Sequence, residues 1–136
     1  MKCNLIQILP HYICQIWPDV EPFLGPAMAH SAGEYSLEQL KGMLTCGQQT
    51  LLVLWDGEKA HGAFTIALEQ YPNATVAYVT SIGGRHIATE ENFQQLVYWC
   101  RSKGYTCIRG AAFPAVARLW QRFKAKEIYR VVEIKL

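Results

Sequence analysis

The stretch that decides the fold is residues 74–110, ATVAYVTSIGGRHIATEENFQQLVYWCRSKGYTCIRG. Its first part is β-prone and predicts a strand over 74–82, followed by the Gly83-Gly84-Arg85 turn. Thr89 then caps a predicted helix that Gly104 ends, and residues 105–110 form a second strand. The helix carries apolar residues at helical spacing, namely Phe93, Leu96, Val97 and Cys100. A strand-helix-strand crossover of this length makes the two strands parallel neighbours.

The residues after this crossover predict one more helix and one more strand. Pro114 suits the first turn of a helix, where its missing N–H costs nothing. Residues 127–136 are rich in isoleucine and valine and predict a closing strand. We therefore expect residues 74–136 to form a strand, glycine turn, helix, strand, helix and strand in that order.

The residues before the crossover predict a first strand and two helices. Residues 4–9 are a plausible strand, and a helix follows that opens at Trp17 and breaks near Pro26. A second helix is indicated by the capping box Ser36-Leu37-Glu38-Gln39, and Gly47 marks its end.

Two β-prone runs, residues 50–55 and 63–68, are separated by Asp56-Gly57, a dipeptide typical of tight hairpins. Together with residues 74–82 they predict three neighbouring antiparallel strands. The expected fold class is α+β (mixed α/β), a single domain over residues 1–136. Its central mixed sheet combines this antiparallel meander with a parallel strand pair around residues 74–82 and 105–110, between flanking helices.

The composition is that of a folded protein, with 51% hydrophobic and 18% charged residues. No apolar run has the length of a membrane span, and the N-terminus lacks the apolar core of a secretory signal, so we expect a cytoplasmic protein without membrane contact. The five cysteines form no C-x-x-C pair and are expected to be reduced thiols. The four histidines are dispersed without metal-ligand spacing, which argues against a metal enzyme.

The charge is unevenly distributed along the chain. Residues 1–84 carry a net charge of −4, whereas residues 85–136 carry +6. The basic half contains the glycine turn, so it could attract phosphate-bearing ligands or nucleic acid. Basic helix surfaces are also common for solubility alone. Nucleic acid is therefore a possible partner, but the charge does not favour it over phosphate-bearing ligands.

The layout predicts a ligand site at the turn that follows residues 74–82. In sheets with parallel strands, ligands bind beyond the carboxyl end of a strand and beside the next helix N-terminus. Gly83 and Gly84 would let backbone N–H groups approach a phosphate, and Arg85 or His86 would add positive charge. A turn that only reverses the chain is the alternative reading.

This order of elements resembles the GCN5-related N-acetyltransferases, the GNAT superfamily, over most of the chain from Trp17 to Leu136. A smaller pattern is similar to small GNAT-like proteins of bacteriophages and prophages, and it comprises Trp17, Phe23-Leu24, Leu51 to Val53, Gly62-Ala63, Ile82-Gly83-Gly84 and Arg118-Leu119-Trp120. The resemblance implies that acetyl-coenzyme A, or another acyl-coenzyme A, lies where the two parallel strands splay apart. The implied coenzyme-binding residues are Ile82, Gly83, Gly84, Arg85, His86 and Thr89.

The turn departs from the family pattern, since Gly83 stands where glutamine or arginine is usual and His86 where the first glycine is usual. Trp120 stands where many members carry a tyrosine that protonates the leaving thiolate, and its indole N–H is not acidic. Cys107 or Tyr129 is a candidate replacement for this acid. The candidates for the general base that removes the amine proton are His61, Glu69 and Tyr78, which lie on or beside the meander.

These features predict an acyl-coenzyme A-dependent N-acyltransferase that uses Glu69, Tyr78 or Cys107 in catalysis and acts on the primary amine of a small molecule or a protein. The alternative is an inactive GNAT-fold phage protein that serves as a binding, virion-associated or host-inhibiting module, located in the host cytoplasm if phage-encoded. Trp17 and Phe23 could line an acceptor cleft or the contact of a homodimer.

Overall fold

The computed structural model describes residues 2–85, 87 and 89–136. It contains five strands and four α-helices in these residues. In chain order they are β1 (Asn4–Ile8), α1 (Ile13–Ala27), α2 (Leu37–Thr45), β2 (Gln49–Trp55), β3 (Ala60–Tyr71), β4 (Ala74–Gly84), α3 (Glu90–Ser102), β5 (Cys107–Gly110) and α4 (Pro114–Gln121). The predicted order is confirmed as far as α4.

The strands form one sheet in the order β1-β2-β3-β4-β5. The pairs from β1 to β4 are antiparallel, and β4 and β5 are parallel, as the crossover predicted. The mixed α+β class, the antiparallel meander and the parallel pair are all confirmed. In β4 the strand extends to Gly84, so Gly83 and Gly84 belong to the strand and the turn begins at Arg85.

Local signals in the sequence form the expected contacts. The hydroxyl oxygen of Ser36 accepts a hydrogen bond from the Gln39 N–H, and Oε1 of Gln39 accepts one from the Ser36 N–H, which completes the capping box of α2. Thr89 caps α3 by accepting from the N–H of Asn92 at 3.2 Å. Gly104 follows α3 with φ of +86°, a conformation that favours glycine.

Helix α1 begins four residues earlier than predicted, and it includes three prolines at intervals of four residues, Pro18, Pro22 and Pro26. Each proline removes an N–H that would bond to the carbonyl four residues before it. The prolines and Cys14 lie on the exposed side of the helix, where water can solvate the freed carbonyls. The opposite side is buried, and this packing stabilises a helix that intrinsic propensity disfavours.

The sheet buries an apolar cluster on each face. Helices α1 and α2 cover one face, where Trp17, Leu24 and Leu40 pack on Leu51 and Val53. Helix α3 covers the other face. There the packed residues include Leu52, Leu54, Phe64, Ile66, Ala77, Val79, Leu96 and Cys100. The alternation of β2 between the two clusters follows from the two-residue period of a strand.

The predicted closing strand is wrong for this structure. Glu127–Leu136 is not paired with any strand of the described chain, and its apolar side chains are exposed. A strand needs a neighbouring strand to bond its backbone groups, and residue composition alone does not supply one. Within the described residues, no helix has both the length and the apolar character to cross a membrane.

Candidate functional site

An opening lies between β4 and β5 at the carboxyl end of the parallel pair. Val79 pairs with Gly110, which ends β5, whereas β4 continues to Gly84. The second half of β4, residues 80–84, therefore pairs with β3 on one side only. The register between β3 and β4 also shifts here, because Thr65 pairs with Ser81 while the next residue pairs with Val79. Thr80 is thus an inserted bulge residue at the start of the opening.

A cluster of buried polar side chains surrounds this bulge. The Thr80 hydroxyl donates to Oε1 of Gln49 at 2.5 Å and lies 2.6 Å from the Thr65 hydroxyl, which also bonds the hydroxyl of Ser81. Thr65 is fully buried, and Gln49 and Ser81 are nearly so. Because buried polar groups are costly when unpaired, this network fixes the position of the bulge. Sequence reasoning missed it, although Thr80-Ser81 interrupts an otherwise apolar strand.

The glycines at the end of β4 permit close packing. A side chain on Gly83 would overlap the backbone oxygen of Phe23 in α1. Gly84 pairs with Gly62. A Cβ atom on Gly84 would lie 2.5 Å from the Gly62 Cα atom and from the His61 carbonyl oxygen. Gly84 has φ of +128°, which L side chains rarely adopt. The glycines that sequence analysis assigned to coenzyme binding therefore have a structural role in joining β4 to β3 and α1.

The turn after β4 leads into the N-terminus of α3. Arg85 is exposed there, and Thr89 is occupied as the helix cap. The predicted site residue His86 lies outside the described residues. The first turn of α3 carries Glu90 and Glu91, whose negative charges oppose the positive end of the helix dipole. Among the described residues of this turn, Arg85 is the cation available to an anionic group at the helix terminus, and the two glutamates weaken the attraction.

The three predicted catalytic residues project from the same face of the sheet. Glu69 pairs with Val76, and Val76 pairs with Cys107, so these residues form one row across three strands. Tyr78 is two residues further along β4 and therefore has its side chain on this face as well. Tyr78 lies one residue pair before the opening, whereas Glu69 and Cys107, which share one row, both lie about 10 Å before it at the usual rise per residue.

Burial raises the pKa of the Tyr78 hydroxyl above its usual value, and the charge of Glu69 raises it further. Tyr78 is consequently neutral at physiological pH and can donate a proton, but it cannot serve as a base there. The hydroxyl of Tyr71 donates to Oε2 of Glu69 at 2.8 Å, and the guanidinium of Arg109 lies 5.8 Å from the Tyr71 ring centroid. Glu69 is thus the carboxylate in a group of side chains that also includes Tyr71 and Arg109.

A second pair of titratable groups lies at the hairpin between β2 and β3. Nε2 of His61 is 2.6 Å from Oδ2 of Asp56, and both side chains are largely shielded from solvent. The bond to His61 is the main cause that lowers the pKa of Asp56, and backbone N–H groups of Lys59 and Glu58 add to it. This geometry orients the His61 ring.

Other candidate residues have structural positions. Trp120 packs against the α3-side cluster, and its ring lies close to Gly110, where a Cβ atom would be 3.5 Å from it. Burial raises the pKa of the Cys100 thiol to about 11, so this thiol is unreactive at neutral pH. All five cysteines are free thiols. In the part of the chain that the structure describes, no group of three or more acidic, cysteine or histidine residues could hold a metal ion.

The fold and this strand pairing define a class: α+β proteins with a mixed sheet in which the pairing of two parallel strands stops while the bulged fourth strand continues. No protein-family model matches the chain, and no curated protein sequence is significantly similar to it. Solved structures are similar over nearly the whole chain, and they identify the fold as that of the GNAT acetyltransferases.

Three of these structures illustrate the similarity. An aminoglycoside acetyltransferase from an uncultured soil metagenomic sample, in complex with sisomicin, has a TM-score of 0.69 at 13% identity, with 98% of this chain and 96% of that chain covered. The aminoglycoside N-acetyltransferase AAC(6')-Iy in complex with CoA has a TM-score of 0.67 at 16% identity, over 98% and 94% of the two chains. A possible acetyltransferase from Clostridium difficile 630 has a TM-score of 0.68 at 10% identity, over 100% and 99%. At these identities the similarity shows the fold alone.

Proposed function

We propose that this protein is an acyl-coenzyme A-dependent N-acyltransferase that binds its coenzyme at the opening between β4 and β5. The observation that carries the proposal is the open half of β4. Residues 80–84 have no strand partner on the β5 side, so their backbone groups on that side are available to a ligand. The pantetheine arm of coenzyme A contains two amides, which can pair with such an edge as an added strand does.

The diphosphate of the coenzyme would lie at the N-terminus of α3. Arg85 is exposed at this end and supplies a guanidinium that can form charge-assisted bonds to phosphate oxygens. The helix N-terminus adds a partial positive charge. In this proposal the predicted residues Ile82, Gly83 and Gly84 shape the strand edge and Thr89 caps the helix, while Arg85 is the charged contact.

The reaction would proceed by direct attack. The nitrogen of a primary amine forms a bond to the thioester carbonyl carbon, the C–S bond breaks, and the amine loses a proton while the thiolate gains one. Glu69 lies about 10 Å before the opening, so it would accept the proton through a chain of waters, and Tyr78 is the neutral hydroxyl suited to give one to the sulfur. These roles revise the sequence interpretation, which considered His61, Glu69 or Tyr78 as the base and Cys107 or Tyr129 as the acid.

The acceptor class rests on the fold and on the similar proteins. The neighbours include enzymes named as aminoglycoside acetyltransferases, and a small polyamine or aminosugar is therefore the first acceptor class that we propose. A protein amine is the second class, because its lysine side chain presents the same primary amine.

A thiol-release assay tests this proposal. The protein is incubated with acetyl-coenzyme A and a panel of amines that covers aminoglycosides, polyamines and lysine peptides, and the free coenzyme thiol is measured. We expect amine-dependent release with at least one acceptor class, with Glu69→Gln and Tyr78→Phe much slower. Release that is independent of amine, or absent with every class, contradicts the transferase.

A GNAT-fold binding module without transferase activity is the second candidate, in line with the small phage proteins that the sequence resembles. The observation that favours it is the pair Glu90 and Glu91 in the first turn of α3, because these carboxylates repel a diphosphate. The charge reversal Glu90→Lys separates the two candidates. It would tighten coenzyme binding if the opening is a coenzyme site, and it would leave the protein without affinity if the opening is not.

A further inference from the structure

We propose that the outer side of α3 and the end of α4 bind a single strand of nucleic acid. The surface, called here the cationic ridge, is formed by exposed side chains within residues 98–126, namely Tyr98, Arg101, Lys103, Arg118, Arg122, Lys124 and Lys126. This inference is independent of acyl transfer, because it uses neither the opening beside β4 nor Arg85.

The charge of residues 92–126 has one sign only. The segment contains no aspartate or glutamate, although it contains seven basic residues, and all of these except Arg109 are exposed. The whole chain has a net charge of +2, so the positive charge is concentrated in this segment. A surface that serves solubility alone usually mixes both signs, whereas a large field of one sign attracts a charged partner.

The cations of the ridge are not neutralised by the carboxylates of the described chain. The described residues form three ion pairs, and these are His61–Asp56, Arg130–Glu127 and Lys135–Glu133. None of these pairs uses a cation of the ridge. The exposed cations are therefore available to an anion from outside the protein.

A contact between α3 and the end of α4 brings the cations together. Phe123 stacks on Phe93 with ring centroids 4.4 Å apart, and its chain neighbours Arg122 and Lys124 are exposed. Arg101 follows Phe93 after two intervals of four residues, so it lies along the flank of α3 that faces the end of α4. The separation along the helix axis is about 12 Å. The ridge thus extends from the end of α4 along α3.

Helix α4 turns its apolar side toward the protein and its basic side toward solvent. Trp120 packs against the cluster on the α3 side of the sheet. Arg118 and Arg122, four residues apart, are exposed on the other side. Lys124 has φ of +67°, a conformation that favours glycine. The charge of Lys124, and not its backbone preference, is the property that suits this position.

The orientation of α4 distinguishes a nucleic acid from a lipid surface. A helix that lies on a membrane inserts an apolar side among the lipids. The apolar side of α4 and of the residues after it is already used, since Trp120 packs on the cluster and Phe123 stacks on Phe93. A row of phosphates needs no such insertion, because cations bind it at the surface. The ridge therefore suits a nucleic acid.

Tyr98 indicates a single strand. It is 77% exposed on α3 and lies three residues before Arg101, so the ring and the guanidinium are neighbours on the helix surface. Proteins that bind single strands stack unpaired bases on aromatic rings and hold the phosphates with cations. The bases of a duplex are already paired and stacked, and they would leave Tyr98 without this contact.

Fluorescence anisotropy with a labelled oligo(dT) of about 20 nucleotides tests this proposal on the full chain without coenzyme. For the wild type we expect a Kd between about 1 and 100 µM at physiological salt, and an affinity that falls as salt rises. The double variant Arg122→Gln, Lys124→Gln removes two phosphate contacts. It should weaken binding by about 10-fold and make the slope of log affinity against log salt shallower by about 1.4. Both side chains are exposed, so the fold should not change.

A matched double variant shows whether the ridge or the net charge binds the strand. Lys41→Gln, Lys59→Gln removes the same charge from residues 1–84 and should bind as the wild type does. Equal weakening by the two double variants overturns the proposal. Absence of binding by the wild type at about 100 µM protein and about 50 mM salt overturns it as well.

The kind of partner is tested at Tyr98 and with lipid. Tyr98→Ala should weaken binding by about 5-fold or more, because the stacking of a base is lost, whereas Tyr98→Phe keeps the ring and should bind as the wild type does. Equal affinities of these two variants overturn the assignment of a single strand. Vesicles of phosphatidylserine that bind the wild type more tightly than the oligonucleotide does would assign the ridge to a membrane and overturn the proposal.

Discussion

The two halves of β4 differ in what holds them. The first half, residues 74–79, pairs with β3 on one side and with β5 on the other, and it buries Val76, Ala77 and Val79. The second half, residues 80–84, pairs with β3 alone. It is fixed instead by the hydroxyl network at Thr80 and by glycines that contact other backbone segments. The comparison teaches that the open strand edge is maintained by specific contacts, as expected for a ligand site and not for a frayed end.

The largest effect is expected from a side chain at Gly83 in the open half. Gly83→Val would force the new side chain into the backbone oxygen of Phe23, and neither backbone can move without displacing α1 or β4. We expect a loss of more than about 3 kcal/mol in the free energy of unfolding, at the upper end for overpacking. Urea denaturation measures it. The control Gly42→Ala adds a methyl group in open space within α2 and should stabilise by about 0.5 to 1 kcal/mol.

The hydroxyl network gives a matched pair of substitutions in the same strand. Thr80→Val removes the hydroxyl that bonds Gln49 and Thr65, and leaves buried polar groups unsatisfied. We expect a cost of about 1 to 3 kcal/mol in unfolding free energy. Thr75→Val, in the paired half of β4, removes only an exposed bond to Gln70 and should change stability by less than about 0.5 kcal/mol. Equal costs for the two variants would remove the distinction between the halves.

A substitution of Tyr78, which lies next to the boundary between the two halves of β4, tests the proposed role of its hydroxyl in catalysis. If its hydroxyl protonates the leaving thiolate, Tyr78→Phe should lower kcat by about 100-fold, at the lower end for general acid catalysis. Stability and KM for acetyl-coenzyme A should change little. The control Tyr98→Phe removes a hydroxyl from the exposed face of α3 and should leave kcat unchanged. A kcat for Tyr78→Phe equal to that of the control would eliminate the acid role.

The smallest effect is expected at the Asp56–His61 pair, which adjoins the open half because His61 precedes Gly62, the partner of Gly84. The bond to His61 lowers the pKa of Asp56 in the folded protein. This carboxylate therefore stabilises the fold above its unfolded pKa of about 3.9, and the contribution disappears as pH falls through the folded pKa. Tm measured from pH 7 to pH 2 should fall less steeply below about pH 4 in Asp56→Asn. Glu58→Gln, an exposed neighbour, should follow the wild type.

The sequence was sufficient to predict the elements whose signals are local. The capping box at Ser36, the cap at Thr89, the turn at Asp56-Gly57 and the apolar spacing of α3 each depend on residues within one or two turns of the chain. The parallel pairing of β4 and β5 followed from the length of the crossover. The site that these features predict at the end of β4 stays a prediction.

Other features depend on contacts that sequence spacing does not encode. The bulge at Thr80 exists because side chains on three strands bond one another across the sheet. Helix α1 tolerates Pro18, Pro22 and Pro26 because its opposite side is buried against the sheet. The predicted strand at residues 127–136 has the composition of a strand, but pairing requires an edge that its own chain does not place beside it.

Calorimetric titration with coenzyme A tests the central claim, that the open half of β4 and the adjoining α3 terminus bind a coenzyme. The account predicts saturable binding to the wild type, and an affinity about 10 to 100-fold weaker in Arg85→Glu, because one charge-assisted bond to phosphate is replaced by repulsion. Lys103→Glu makes the same charge reversal at the other end of α3 and should bind as the wild type does. No heat of binding at millimolar coenzyme, or equal affinities for Arg85→Glu and Lys103→Glu, would contradict the claim.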